Sequence, residues 1–224
     1  MTTFFTRAEF ERAPKTLLRD GRIANAKVYR LQWAGKDWTV KDFSERPWYI
    51  RETIGHALIS HEVRMINRLK GLDGVSQHAF QIDRFAMAVE FMSGTSIQHF
   101  GNHELTPEFL EAFEALIRRM HEHHVVHLDC RGLGNVLVRP DGTPGLIDFQ
   151  SALYTRYMPT CLREYLEDID NSAPLKRWQL GHPNLMGEER KEKLSRIEQL
   201  RRWWPFEGYF GKKKSPENET KDES

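Results

Sequence analysis

The fold is decided by two nearby segments, HLDCRGLGNVLV at positions 127–138 and LIDFQ at 146–150. Branched apolar residues in both segments are typical of short strands, and the turn Pro140–Thr143 separates the two. The polar residues are Asp129 and Asn135 in the loop before one strand, and Asp148 at the end of the other. These polar positions are the first candidates for chemistry.

The sequence before these segments predicts an antiparallel sheet. Thr16 to Phe43 has the pattern of a three-stranded meander, with strands near 17–18, 28–33 and 38–43. Apolar residues then recur at helical spacing between about 50 and 70, which predicts a helix. Two short strands follow at 80–83 and 85–91, and they end at Met92-Ser93-Gly94.

The remainder of the chain is predicted to be mainly helical. Thr106 and Pro107 mark a helix start, because they suit the N-cap and the first helical position. Beyond Pro159 we expect helices with breaks at 171–174 and 181–187. The charged segment 211–224 is predicted to be disordered.

Composition is that of an ordinary globular protein. Hydrophobic residues make up 39% of the 224 residues and charged residues 29%, with a formal net charge of +1. A net charge so close to zero does not indicate a nucleic-acid partner. Two cysteines cannot form a disulfide framework, and neither a signal peptide nor a membrane span is recognisable, so a cytoplasmic location is expected.

Read in order, the candidate residues resemble a known family. Lys41 ends the third strand, Glu62 lies within the following helix, and the two segments quoted above come next. This order is similar to the catalytic loop and metal-binding segment of the protein-kinase-like superfamily, particularly its small bacterial lipopolysaccharide-kinase and RIO-like branches. The resemblance extends from about Leu17 to Leu153 and implies a two-lobed α+β fold.

The resemblance also implies a division of the chain. Residues 1–93 would form an N-lobe with a five-stranded antiparallel sheet and one helix, covering the nucleotide. Residues 94–210 would form a reduced, mainly helical C-lobe that carries the catalytic loop. Residues 211–224 would be the charged tail.

Roles for the loop residues follow from the same resemblance. Asp129 would accept or orient the attacking hydroxyl, and Arg131 would neutralise charge on the transferred group. Asn135 and Asp148 would supply oxygen ligands to Mg²⁺ bridging the phosphates of ATP. One extra residue before Asn135 departs from the usual loop spacing.

The resemblance places the nucleotide beneath the sheet. Lys41 would bind phosphate and be held by Glu62, with Glu52 as the alternative partner. The hinge would lie near Glu90 and Met92. Only Gly21 remains of the usual glycine-rich phosphate loop.

Further departures concern regulation and substrate binding. Leu128 replaces the arginine that pairs with a phosphorylated activation loop, so we expect no such switch. Gln150 stands where glycine is common, and no Ala-Pro-Glu segment follows. The missing peptide-binding features favour a small or glycolipid acceptor.

Three other patterns were weighed. A zinc site at His121–His124 fails on spacing, because Val125 occupies the position of the second zincin histidine. Cys130 is interpreted as a buried, inert thiol. The basic and aromatic segment 191–210 is interpreted as the last helix of the lobe, with an interfacial helix as the alternative.

The sequence therefore predicts a monomeric kinase that uses ATP and Mg²⁺ and phosphorylates a hydroxyl. The acceptor is either a glycolipid sugar, which implies peripheral contact with the cytoplasmic face of the inner membrane, or a protein serine or threonine. A pseudokinase that binds nucleotide without transferring phosphate is the alternative.

Overall fold

The structure, a computed structural model, describes residues 4–21 and 25–202. Its first part is a five-stranded antiparallel sheet with strand order β1-β2-β3-β5-β4. The strands are β1 (Lys15–Asp20), β2 (Lys27–Trp33), β3 (Lys36–Asp42), β4 (Ala79–Asp83) and β5 (Ala86–Glu90). The predicted five-stranded sheet is confirmed.

A helical segment links β3 to β4 and packs beneath the sheet. It consists of a short α2 (Trp48–Ile50), one π-helical turn at Arg51–Gly55 and α3 (His56–Arg68). The apolar stripe of α3 is buried in the main core. Glu62 lies within this buried stripe, so α3 carries a charged residue into the interior.

The outer face of the sheet is covered by the N-terminal segment, which no sequence pattern predicted. Helix α1 (Arg7–Arg12) begins with a capping box between Thr6 and Glu9. Phe5 and Phe10 are buried in a second core, where Phe5 meets the ring of Trp38 at a centroid distance of 5.8 Å. The segment thus forms a layer on the sheet.

The second part of the molecule is mainly helical. It contains α4 (Pro107–Glu122), α5 (Thr160–Gly181) and α6 (Glu188–Arg202). One short strand, β6 (Thr95–Ser96), precedes α4. Four more lie between α4 and α5: β7 (Val125–Val126), β8 (Val136–Val138), β9 (Pro144–Leu146) and β10 (Leu153–Tyr154). The predicted start of α4 is confirmed, since the Thr106 hydroxyl accepts from the backbone N–H of Phe109.

The predicted break at 171–174 is wrong, because α5 continues through Pro174. Proline in a helix interior removes one backbone hydrogen bond. Here the surrounding turn is buried in the main core through Ala173, Leu175 and Trp178. Tertiary packing of this turn outweighs the local preference of proline. The predicted break at 181–187 does separate α5 from α6.

Some predictions concern residues that the structure leaves undescribed. The disordered tail at 211–224 and the end of the 191–210 segment lie outside the described residues. Leu194 and Ile197 of α6 do pack in the core. Within residues 4–21 and 25–202, no helix is long and apolar enough to cross a membrane.

Candidate active site

Lys41, Glu62 and Asp148 form a charge cluster, named here the Lys41 cluster, which joins β3 and α3 to the segment after β9. The Lys41 ammonium donates to Glu62 Oε1 at 2.7 Å and Oε2 at 2.9 Å, and to Asp148 Oδ1 at 2.7 Å. Lys41 and Glu62 are buried, whereas 26% of the Asp148 side chain is exposed. The open carboxylate of Asp148 therefore faces the cleft.

Burial and charge act in opposite directions in the Lys41 cluster. Burial by itself lowers the pKa of Lys41, but Glu62 and Asp148 outweigh it and raise the pKa. For Asp148, burial raises the pKa and Lys41 outweighs it, so the pKa lies below its usual range. Both groups are thus charged at neutral pH.

Glu62 also connects α3 to the segment after Asp148. Its Oε1 accepts from the backbone N–H of Phe149 at 3.2 Å. The alternative partner suggested by the sequence, Glu52, instead pairs with Arg84. Of the two glutamates, the structure brings only Glu62 to Lys41.

The backbone at Asp148 has φ of 67° and ψ of 72°, in the left-handed region that non-glycine residues seldom adopt. The following residue, Phe149, is buried and packs against His127 with the two rings tilted and their centroids 4.6 Å apart. Strained non-glycine residues concentrate at functional sites. Here the strained backbone accompanies a carboxylate directed at Lys41.

Asp129 and Asn135, in the loop between β7 and β8, are in direct contact. Asn135 Nδ2 donates to Asp129 Oδ2 at 2.7 Å and to the Asp129 carbonyl oxygen at 3.2 Å. Partial burial raises the pKa of Asp129, with a smaller contribution from the charge of Asp148. The backbone N–H of Ile147 donates to the carbonyl oxygen of Asn135 at 3.1 Å, so the segments that carry Asp129 and Asp148 are adjacent, and the space between them and the sheet is called the cleft here.

His127 joins the loop to the strand before Asp148. It is buried, its Nδ1 accepts from the backbone N–H of Asp129 at 3.3 Å, and its Nε2 lies 3.1 Å from the carbonyl oxygen of Ile147. Leu128, between His127 and Asp129, has a left-handed φ of 65°. The His127 ring thus fixes the relative position of the segments that carry Asp129 and Asp148.

Asp170 of α5 is a site residue that the sequence did not reveal. Its buried carboxylate accepts from the backbone N–H of His127 at 2.6 Å and of Leu128 at 2.7 Å. Its Oδ2 also lies 3.2 Å from His121 Nε2. The cluster that suggested zinc therefore supplies one histidine to a carboxylate that supports the loop between β7 and β8.

Arg131 and Gly132 complete the loop. Arg131 Nη1 is buried and has no hydrogen-bond partner among the described residues. Arg51, Arg139 and Trp178 also have a buried nitrogen without a partner among the described residues, so this property alone does not distinguish Arg131. A Cβ on Gly132 would lie 2.9 Å from Asp129 Oδ1, so the close approach of this backbone to the carboxylate requires glycine.

The three remaining candidates lie around the sheet and contribute no charge to the Lys41 cluster. The Glu90 carboxylate pairs with Lys36 at 3.2 Å. Met92 packs on the β8–β9 hairpin, where a Cβ on Gly145 would lie 2.3 Å from its sulfur. The Gly21 carbonyl accepts from Arg46 Nη2 at 2.8 Å.

The donor set suits magnesium bound together with a phosphate. No group of three or more His, Cys, Asp or Glu able to hold a metal occurs among the described residues. Magnesium, however, usually binds through one or two carboxylates plus phosphate oxygens and water. Asp148 and Asn135 supply such oxygens, while Lys41 and Arg131 supply cations for phosphate.

The fold matches known kinase structures. No family profile matches the sequence, and no curated protein is significantly similar to it. Rio2 kinase from Chaetomium thermophilum superposes with a TM-score of 0.56 at 13% identity, covering 87% of this chain and 75% of that chain. Its complex with ADP, Mg²⁺ and phosphoaspartate gives a TM-score of 0.57 at 12% identity, covering 87% and 73%. The predicted kinase-like α+β fold is confirmed.

Proposed function

We propose that this chain is an ATP-dependent phosphotransferase that uses Mg²⁺ and phosphorylates a hydroxyl group. The observation that carries the proposal is the Lys41 cluster, whose Asp148 carboxylate follows Ile147, a residue hydrogen-bonded through its backbone to Asn135 in the loop that also carries Asp129. Phosphoryl transfer depends on positioning and charge neutralisation, and these side chains are of the types that provide both. The Rio2 complex with ADP and Mg²⁺ supports nucleotide and metal binding by this fold.

Each residue has a role in this proposal. Bound Mg-ATP supplies the phosphoryl group and part of the charge neutralisation. Lys41, kept charged by two carboxylates, attracts phosphate oxygens, and the unpaired Nη1 of Arg131 donates to the transferred group. Asp129 orients the acceptor hydroxyl and takes its proton, a role that suits a carboxylate whose pKa is raised.

The acceptor in this proposal is a glycolipid sugar or a protein serine or threonine. Only a short segment separates Asp148 from the start of α5 at Thr160, which leaves little chain to bind a peptide. This favours the glycolipid sugar, and with it peripheral contact at the cytoplasmic face of the inner membrane. The division into residues 1–93 and 94–210 also remains a proposal.

The test is ATP turnover by the wild type, Asp129→Asn and Asp148→Ala, each with lipopolysaccharide core, generic protein or no acceptor. We expect both variants to lose more than about a hundredfold, the scale of a positioned proton acceptor or metal site. Asp141→Asn is the matched control, because Asp141 is an exposed carboxylate in the β8–β9 turn. Unchanged turnover in the first two variants contradicts the assigned roles.

The pseudokinase alternative gives a different result in the same assay. Gln150 and the single Gly21 are the departures that favour it. It predicts thermal stabilisation by Mg-ATP with no phosphate transfer to any acceptor. The arm without acceptor also measures ATP hydrolysis, which distinguishes an active enzyme that lacks its acceptor from a protein without catalytic activity.

A further inference from the structure

Strand β1 contains a bulge next to the degenerate glycine loop. Leu17 lies opposite Tyr29 of β2, but the next paired residue is Arg19, opposite Val28, so Leu18 is the extra residue. A bulge shifts the side-chain alternation of the strand that contains it. Bulges are also frequent next to active sites.

The bulge changes the face on which Arg19 lies. Lys15, four positions earlier, faces the N-terminal layer, where its Nζ donates to the Phe10 carbonyl oxygen at 3.1 Å. Strict alternation would put Arg19 on this same outer face. The extra residue, Leu18, places Arg19 on the opposite face of the sheet, because it moves Arg19 into register with Val28.

Val28 lies in the same cross-strand row as Lys41. Val28 is opposite Lys41 of β3, so Arg19, Val28 and Lys41 occupy one row across three strands. Lys41 points into the cleft toward Asp148. Residues in register on an antiparallel sheet share a face, so Arg19 also projects from the cleft face, about 10 Å from Lys41 at two strand spacings.

The charge of Arg19 is available to a ligand. No hydrogen bond or ion pair joins its guanidinium to another residue in the described ranges 4–21 and 25–202, and the residue is exposed. Arg46 donates to Asp20 and to the carbonyl oxygens of Gly21 and Asn25, and so links the end of β1 to the residues just before β2.

We propose that Arg19 is a phosphate-binding residue that contacts the phosphate chain of the nucleotide from the sheet side of the cleft. The inference rests on the proposed function. A glycine-rich loop binds phosphates through backbone N–H groups, and this chain keeps only Gly21 there. A guanidinium provides several donors in a planar fork that matches phosphate oxygens, so Arg19 replaces part of the missing backbone contribution.

The test is calorimetric binding of ATP and of adenosine, each with Mg²⁺, to the wild type, Arg19→Gln and Arg19→Lys. We expect Arg19→Gln to weaken ATP binding about tenfold and to leave adenosine binding unchanged, because adenosine lacks phosphate. Arg19→Lys restores part of the ATP affinity, since it keeps the charge and loses the fork. Lys15→Gln removes a charge from the other face of β1 and leaves both affinities unchanged.

Three results overturn the inference. Equal ATP affinity for Arg19→Gln and the wild type means that Arg19 does not contact phosphate. Equal weakening for ATP and adenosine means that the substitution disturbs the cleft in general. If the wild type binds no ATP, the proposed function and this inference are both overturned. If it binds ATP but shows no turnover, only the proposed phosphotransferase activity is contradicted.

Discussion

The carboxylate of Asp170 accepts a 2.6 Å hydrogen bond from the backbone N–H of His127, across 43 positions of sequence. A second bond, from Leu128, occupies its other oxygen. Both donors belong to the strained turn that presents Asp129, since Leu128 has a left-handed φ of 65°. Helix α5 thereby stabilises a backbone conformation that a leucine would otherwise disfavour.

Replacing Asp170 with asparagine removes one of the two acceptors and turns an amide N–H₂ toward a backbone donor. The buried N–H left without a partner costs about 1–3 kcal/mol of unfolding free energy. We expect turnover to fall at least about tenfold, because the turn before Asp129 loses its support. ATP affinity stays near the wild-type value, since Asp170 does not contact the Lys41 cluster. Urea denaturation and ATP calorimetry measure the two effects.

The matched control is Asp168→Asn on the same helix. Asp168 pairs with Arg196 of α6 at 3.5 Å and makes no contact with the catalytic loop. We expect a change within about 0.5 kcal/mol and no loss of turnover. Equal effects of the two substitutions would falsify the supporting role of Asp170.

The residues predicted best are those next to a strong local pattern. Lys41 follows a β-branched strand, Glu62 lies in a periodic apolar helix, and Asp148 ends an apolar run, so each could be placed from neighbours in sequence. The order of these three residues along the chain then indicated the kinase-like fold. Their contacts agree with that order, since the Lys41 ammonium reaches both carboxylates.

The residues that were missed depend on contacts between distant segments. Asp170 lies in a helical stretch where nothing local separates it from a surface aspartate. Phe5 and Phe10 could not be assigned a face until the sheet beneath them was known. The face on which Arg19 lies could not be predicted, because one extra residue reverses the alternation and the sequence around Leu18 does not indicate a bulge. Pro174 misled because its local preference opposes the packing around it.

Glu62→Gln tests the buried half of the Lys41 cluster. Glutamine keeps one oxygen for two donors, Lys41 Nζ and the backbone N–H of Phe149. Burial raises the pKa of Glu62, so removing its charge relieves part of a desolvation cost. The buried Lys41 ammonium loses a charged partner and one donor is left unsatisfied, and these two costs outweigh that gain, so we expect a net loss of about 1–3 kcal/mol of unfolding free energy. ATP affinity falls as well, because Lys41 loses a partner that fixes its position. Chemical denaturation and ATP calorimetry check both results.

Glu52→Gln is the control for that substitution. Glu52 pairs with Arg84, whose side chain is 58% exposed, so the pair contributes little to stability. We expect ATP affinity unchanged and stability within about 0.5 kcal/mol of the wild type. A larger loss from Glu52→Gln than from Glu62→Gln contradicts the choice of Glu62 as the lysine partner.

Asp129→Asn is expected to abolish turnover and to raise stability at neutral pH. The pKa of Asp129 is raised in the folded protein, mainly by burial, so ionising this carboxyl group opposes folding. Asparagine removes that charge and keeps an oxygen that accepts from Asn135. The stability gain is present above the folded-state pKa and shrinks as the pH falls toward the ordinary value of about 3.9, where aspartic acid is also neutral.

Asp141→Asn provides a control of opposite sign. Hydrogen bonds from Thr143 lower the pKa of Asp141, so its ionised form favours folding above the ordinary pKa, and this contribution disappears as the pH falls through the folded-state value. Asparagine at 141 therefore lowers stability slightly at pH 7 and keeps full turnover. Thermal denaturation of the wild type and both variants between pH 3 and pH 8 separates the two cases. If Asp129→Asn is less stable than the wild type at pH 7, the surroundings of Asp129 stabilise its carboxylate. The assignment of Asp129 as the proton acceptor then loses its electrostatic support.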